Sequence, residues 1–465
     1  MRYHFAKKLP LFLSLAIGCL FLGCSNSEWT DLTNKDESIA EGEYPIITQQ
    51  DTQDVEETKN EDISGSSSVQ QTVNQSSSSK ITAYLPIDDT EYPYAGIPRI
   101  VIETRNRQEI EDRETEIPAK LQIWGEKAPI SEIMDLTIRG RGNESWSHPK
   151  KPYAIKFDKK ETILGMPEAK KWVMLANYRD RTLIRNAVAL ELARKTSLTW
   201  TPQGKFVDVF LNKKFIGNYY ICEKIEVKKN RLELNDDSYL LEFDTYYDEE
   251  YKFRTEQNNL PVNIKYPPNP DSSQFNYIKN FIDATEFAFQ TSATDTSFLN
   301  YIDAPSFADY FIIYALATNG ELEQPKSLYV HKKNKGKLYA GPAWDFDYDT
   351  FNSNKIGFAN RNGTFVKQFM QKELFHNILQ ERWATIRKEL HRIDNFIDSL
   401  SSYTHDSNAQ NIKLWPIKIE GPKIGDEDKN FEDAIEMLKD AFNKQYTELD
   451  DLIGPTGTLK GLYGF

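Results

Sequence analysis

Cysteine, histidine and long apolar runs are all scarce in this chain of 465 residues. Of the three cysteines, Cys19 and Cys24 lie in an N-terminal segment typical of targeting, which leaves Cys222 alone and excludes a disulfide framework. The six histidines show neither metal-ligand spacing nor a Ser–His–Asp arrangement, so we expect neither a zinc site nor a hydrolase triad. The apolar run over 9–22 is shorter than the ~20 residues that span a bilayer. A multi-span membrane protein is thereby excluded.

Net positive charge is also lacking. The chain has 57 Lys and Arg against 70 Asp and Glu, a net charge of −13, which argues against nucleic acid as a partner. The acidity lies largely in residues 28–62, with 12 acidic and 2 basic residues, whereas residues 139–195 hold 14 basic and 6 acidic ones. The basic segment either faces an anion or forms a solvated lysine-rich surface.

The N-terminus is typical of an exported protein. A basic start is followed by a short apolar run, as in a signal peptide over 1–24. The run ends Leu20-Phe21-Leu22-Gly23-Cys24, which resembles a bacterial lipobox. We therefore expect lipidation at Cys24 and a place in the cell envelope, lipid-anchored to a bacterial membrane and facing outside the cytoplasm, with plain secretion as the alternative. Residues 25–80 are acidic and then serine-rich, typical of a disordered linker, and the folded domain is expected over 81–465.

The hydrophobic content of 39% is enough for a large core. Apolar patterning predicts strands in the first half of the folded part and helices in the second, hence an α+β fold with two lobes. A hairpin is expected across Asn212-Lys213-Lys214 and a helix over 181–195, capped by Asp180. Further strands are expected over 99–103, 119–124, 135–139, 152–157, 171–175, 238–244 and 262–266, a second hairpin over 327–339, and helices over 277–286, 305–318, 365–400 and 430–452.

The segment Gly341–Asp349 carries the sharpest chemical signal. Aromatic residues and aspartates alternate in it, so in an extended chain Asp345, Asp347 and Asp349 would share one face. Three carboxylates on one face repel each other unless a cation or water lies between them. Because Mg²⁺ is usually held by one or two carboxylates plus substrate phosphates, the segment is a candidate magnesium site. The alternative is an acidic strand end in solvent.

Other residues are candidates for phosphate binding. Lys156 lies on a strand opposite the apolar face, where a lysine either holds a nucleotide phosphate or protects an edge strand from aggregation. The glycines and arginines of Arg139–Ser145 form either a phosphate loop or an ordinary turn. Glu223, Glu242 and Asp244 either pair with Lys156 or bind metal, or they serve as structural partners of the basic segment.

Six stretches of this sequence form a recognisable series: 136–143, 150–157, 171–177, 180–186, 217–225 and 344–347. Taken together, they resemble the CotH family of spore-coat-type, kinase-like proteins. The resemblance runs from about Arg99 to Ile453. It implies an atypical protein-kinase-like two-lobed fold, and an enzyme that uses ATP with Mg²⁺ to phosphorylate protein Ser/Thr.

The resemblance also implies roles for individual residues. Asp345, with Asp347 in the same Trp-Asp-x-Asp motif, would bind metal. Lys156 would contact the nucleotide, and Glu223 would orient the lysine or the metal. The loop over the phosphates would contain Arg141 and Asn143.

This sequence departs from the family at the expected catalytic base. Family kinases usually carry Asn-x-Asp followed by an asparagine, and the aspartate accepts the proton of the substrate hydroxyl. This chain offers Glu321 or Glu323, and Ser327 where the asparagine is expected. Since a misplacement of about 1 Å can cost on the order of 10²-fold in rate, a second function is open: a catalytically impaired, kinase-like surface binding protein or adhesin. A structural envelope protein is a third reading. The partner would be a protein substrate or a surface ligand.

Overall fold

The computed structural model of the protein describes residues 83–323, 325–347, 349–352, 354–355, 363–416 and 425–462. All of them belong to one compact unit, Ser77–Phe465. The expected signal peptide with its lipid site Cys24, and the expected linker over 25–80, lie outside the described residues. Within those ranges no helix is long and apolar enough to cross a membrane.

The first part of the described chain forms a closed seven-stranded barrel. Its strands are β1 (Arg99–Thr104), β2 (Ile117–Trp124), β3 (Met134–Gly140), β4 (Tyr153–Glu161), β5 (Ala169–Leu175), β6 (Gly204–Leu211) and β7 (Lys214–Glu223). Their order is β1-β2-β3-β4-β5-β7-β6, and β1 closes the barrel by pairing in parallel with β6. Alternate side chains, such as Leu121, Ile155 and Val209, fill the interior with a continuous apolar cluster.

Two local features of this first part of the chain follow from the sequence. The expected hairpin joins β6 to β7, and its turn residues 212 and 213 have φ of 52° and 74°, which matches the twist of the strands. The expected helix over 181–195 forms as α2 (Arg185–Arg194). It starts late because Leu183 has a φ of 62°, and Asp180 then accepts the Arg185 backbone N–H at 2.9 Å. The remaining cysteine, Cys222, is a buried free thiol.

A second sheet of five antiparallel strands lies beside the helices of the later part. Its strands are β8 (Tyr239–Phe243), β9 (Lys252–Arg254), β10 (Pro261–Tyr266), β11 (Leu328–Lys332) and β12 (Leu338–Ala340). Their order is β12-β11-β8-β10-β9. The strands contribute Leu241, Val262 and Val330 to one large apolar cluster that also includes the helices and one outer patch of the barrel.

The remaining helices dominate the later part, which confirms the α+β class with strands first. They are α3 (Ser272–Phe289), α4 (Ala304–Leu316), α5 (Thr364–Met370), α6 (Glu373–Leu390), α7 (Ile393–Leu414), α8 (Phe431–Ile453) and α9 (Leu459–Leu462). The short helix α1 (Glu144–Ser147) lies earlier, between β3 and β4. The prediction of one continuous helix over 365–400 is wrong, because α5, α6 and the start of α7 share this range. Lys372 leaves helical geometry, at φ −109° and ψ 118°, because its buried ammonium donates to the carbonyl oxygens of Thr291 and Ser292.

Candidate functional site

A polar cleft of about 610 Å³ is lined by one end of the barrel and by the five-stranded sheet. The barrel contributes the loop after β3 and the end of β5, and the sheet contributes residues of β8, β10 and β11. The segments around residues 321 and 344–347 complete the wall. Its lining includes Arg141, Asn143, Asn177, Asn186, Glu242, Asp244, Lys265, Glu321, Asp345 and Asp347.

The loop after β3 contributes a positively charged arginine side chain, Arg141, to the cleft. Gly142 has a φ of 84°, and a Cβ there would clash with Ser145 Oγ, so the turn requires glycine. Arg113 holds the loop by donating to the Gly142 carbonyl at 2.8 Å and to Asn143 Oδ1 at 2.6 Å. The Arg141 guanidinium lies 5.8 Å from the centroid of the Trp344 ring. The loop is therefore fixed, and it places the Arg141 guanidinium at the wall of the cleft.

Asp345 and Asp347 both line the cleft, and their carboxyl groups are close enough to influence each other. The expected extended chain with three aspartates on one face is wrong. Asp345 has a φ of 67° and Asp349 a φ of 54°, and these left-handed residues break the alternation. Asp349 is not among the residues that line the cleft and forms an ion pair with Lys355 instead.

The acidic groups of the cleft strongly influence one another. The Asp347 side chain reaches solvent through the cleft, but the protein crowded around it and the neighbouring Asp345 carboxylate raise its pKa well above the usual range. Arg141 acts in the opposite direction. Glu321 is only 8% exposed, and its burial, with a further contribution from Asp345, raises its pKa to about 8. Asp347 and Glu321 thus lie in a site where their negative charge is costly.

This donor set fits a magnesium ion that is shared with a substrate. Within the described ranges no three Asp, Glu, His or Cys side chains converge into a metal site of their own. Asp345 and Asp347 supply carboxylate oxygens, the hard ligands that Mg²⁺ prefers, and Mg²⁺ usually takes one or two carboxylates together with waters and phosphates. The mutual repulsion of the two carboxylates would be relieved by a cation between them.

Three of the other expected site residues are not among those that line the cleft. Lys156 lies on the outer surface of the barrel and pairs with Glu116 at 3.5 Å. Glu223 is buried, bonded to Arg231 at 2.5 Å and to the Gln203 N–H at 2.9 Å. Glu323 is exposed, one residue past the short 3₁₀ helix Gly320–Leu322 that carries Glu321. Of the two candidate bases, the structure places Glu321 in the cleft.

The cleft also contains residues that the sequence reasoning missed or left open. Lys265 was not singled out, and it pairs with Glu242 at 3.1 Å. Asp244 accepts the N–H groups of Tyr246, at 2.7 Å, and of Ser327, at 3.3 Å. Asn177 and Asn186 were missed as well. The only available signal was that each ends a stretch matching the family, since a single asparagine has no periodicity that marks it as functional.

Comparison with known proteins identifies a family for most of the chain. A model of the family described as CotH kinase protein matches residues 138–449, which span the loop after β3, the cleft and most of the later helices. A comparison with curated proteins returns no match. The family match covers more than half of the chain and includes all of the cleft-lining residues named above except Arg113. The chain therefore belongs to the CotH kinase protein family.

Proposed function

We propose that the protein is a protein Ser/Thr kinase that uses ATP and Mg²⁺. The observation that supports this most is the meeting of Asp345 and Asp347 with Arg141 in one cleft. Carboxylates that can hold a cation and an arginine that can fork onto phosphate are the parts that phosphoryl transfer needs, because its catalysis is mostly positioning and charge stabilisation.

Each wall of the cleft has its own part in this proposal. Asp345 and Asp347 would hold Mg²⁺, and Arg141 with the Asn143 loop would contact the nucleotide phosphates. When bound, Mg²⁺ supplies positive charge to the phosphate oxygens as they become more negative. The proposed kinase-like arrangement in two lobes has the barrel on one side of this cleft and the sheet with its helices on the other.

Glu321 is the candidate general base. Its carboxyl lies in the cleft, and its backbone N–H is fixed by Asn319 Oδ1 at 2.9 Å. A carboxyl group whose pKa is about 8 holds its proton at neutral pH unless positive charge arrives beside it. We therefore propose that Glu321 accepts the proton of the acceptor hydroxyl most effectively when the cleft is loaded. The longer glutamate takes the place of the family's aspartate.

The cellular setting is proposed from the sequence alone. A lipid on Cys24 would tether the domain through residues 25–80 to a bacterial membrane, outside the cytoplasm. The partner there would be a protein acceptor. A surface ligand is the partner expected of the alternative function, a kinase-like protein that binds without transferring phosphate.

A transfer assay tests the proposal. The full chain is incubated with ATP and Mg²⁺, and phosphate on the chain itself or on a generic acceptor protein is located by mass spectrometry. We expect transfer by the wild type and by Glu323→Gln, and loss of transfer in Asp345→Ala and Glu321→Gln. Glu323→Gln is the matched control because it removes a nearby but exposed glutamate. Nucleotide binding without transfer would favour the binding protein, and the absence of both would overturn the proposal.

A further inference from the structure

Two buried asparagines form hydrogen bonds with one peptide unit, which lies between Asp345 and Asp347, the two proposed metal ligands. Asn319 Nδ2 donates to the carbonyl oxygen of Asp345 at 2.9 Å, and the N–H of Phe346 donates to Asn186 Oδ1 at 3.0 Å. That carbonyl and that N–H belong to the same peptide bond. Asn186 is 4% exposed and Asn319 is fully buried. The orientation of this peptide plane is therefore fixed from both sides by side chains from distant parts of the chain.

The same two side chains connect the peptide to both walls of the cleft. On the barrel side, Asn186 Nδ2 donates to Asn177 Oδ1 at 3.0 Å, and Asn177 Nδ2 donates to the Leu183 carbonyl at 2.8 Å. On the other side, Asn319 Oδ1 accepts the N–H of Glu321 at 2.9 Å. A chain of amide side chains thus runs from the end of β5, through the aspartate segment, to the candidate base.

We infer that Asn186 and Asn319 are positioning residues that hold the Asp345–Phe346 peptide so that the carboxylates of Asp345 and Asp347 can bind one divalent cation. Asp345 has a φ of 67°, a conformation that a non-glycine residue adopts at a cost and keeps only where its surroundings impose it. Rotation of the peptide would swing the two carboxylates relative to each other. Side chains that orient metal ligands typically matter for affinity by about 10–100-fold.

The competing explanation is that these asparagines only satisfy buried polar groups. Asn408 provides a matched control, because it is fully buried in α7, donates to the Arg181 carbonyl at 3.3 Å and is not among the cleft-lining residues. Replacing any of the three by alanine removes a buried amide. Loss of cation affinity is expected only where the amide holds the aspartate peptide.

The inference is tested by titrating the full chain with Mn²⁺ in the absence of nucleotide. Electron paramagnetic resonance measures how much Mn²⁺ is bound at each step. We expect Asn186→Ala and Asn319→Ala to weaken Mn²⁺ binding by about 10–100-fold, and Asn408→Ala to leave it unchanged. Thermal unfolding of each variant shows whether it is folded, and Asn319→Ala, which removes the donor to the Asp345 carbonyl, carries the test if Asn186→Ala does not fold.

The possible outcomes separate this inference from the proposed kinase activity, on which its choice of cation rests. Unchanged affinity in folded Asn186→Ala and Asn319→Ala, or an equal loss in Asn408→Ala, overturns the inference whether or not the protein transfers phosphate. Absence of Mn²⁺ binding in the wild type overturns it as well. Wild-type Mn²⁺ binding that these two variants lose, in a protein that transfers no phosphate, supports the positioning role while the kinase proposal fails.

Discussion

Replacing Glu321 by glutamine should make the unliganded protein more stable at alkaline pH. Burial raises the pKa of Glu321 from 4.5 to about 8, so the folded state keeps a proton that the unfolded state has released. Between these two pH values the unfolded state binds fewer protons, and stability falls as pH rises. The rise in pKa from 4.5 to about 8, at about 1.4 kcal/mol for each pH unit, gives a loss of unfolding free energy on the order of 5 kcal/mol, which is complete above pH 8. Glutamine cannot ionise and avoids this loss.

Urea unfolding of the full chain between pH 5 and pH 9 measures the effect. We expect Glu321→Gln and the wild type to differ little near pH 5, and the variant to gain stability steadily up to about pH 8. Glu323→Gln is the control, since its side chain is exposed and should show no such gain. The reasoning would be refuted if the difference in unfolding free energy between Glu321→Gln and the wild type did not depend on pH. It would also be refuted if Glu321→Gln were less stable than the wild type at pH 9. The same substitution should abolish transfer, so stability and activity would change in opposite directions.

Three further predictions concern groups outside the cleft. Burial lowers the pKa of His331 to about 4, so the folded state favours the neutral imidazole, and this contribution to stability is fully present above pH 6.5. As the pH falls from 6.5 to 4, the free energy of unfolding should drop by about 3 kcal/mol because of this residue. Urea titrations of His331→Gln should no longer show this pH dependence. Arg231→Met leaves buried Glu223 unpaired and should cost about 3–5 kcal/mol of unfolding free energy, while nucleotide affinity measured by calorimetry stays unchanged. Lys156→Ala breaks a pair with Glu116 whose side chains are 49% and 44% exposed, and should change stability by less than about 1 kcal/mol and leave nucleotide affinity unaltered.

Elements with strong local signals were predictable from the sequence. The β6–β7 hairpin formed where an Asn-Lys turn separates two alternating runs, and α8 begins after Asn430, which accepts the Asp433 N–H at 2.7 Å. The prediction of a continuous helix over 365–400 failed at Lys372. The break there is imposed by hydrogen-bond acceptors near residue 291, about 80 positions earlier in the chain. Periodicity cannot report such a distant contact.

The candidate site was predictable only where its residues are contiguous. Asp345 and Asp347 lie in one motif, and both reach the cleft. The position of Glu321 relative to Glu323 depended on a 3₁₀ turn that Asn319 caps, and the place of Lys156 depended on how the barrel closes. The asparagines that hold the Asp345–Phe346 peptide come from α2 and from the segment after α4. Only the tertiary structure brings those two segments together.

The most direct test of the central claim is calorimetric titration of the full chain with a non-hydrolysable ATP analogue, with and without Mg²⁺. If the cleft binds a magnesium nucleotide, affinity should depend on Mg²⁺ in the wild type. That dependence should vanish in Asp347→Asn, and Arg141→Ala should weaken binding whether or not Mg²⁺ is present. Absence of binding, or binding that depends neither on Mg²⁺ nor on these two residues, would contradict the assignment of this cleft as the nucleotide site.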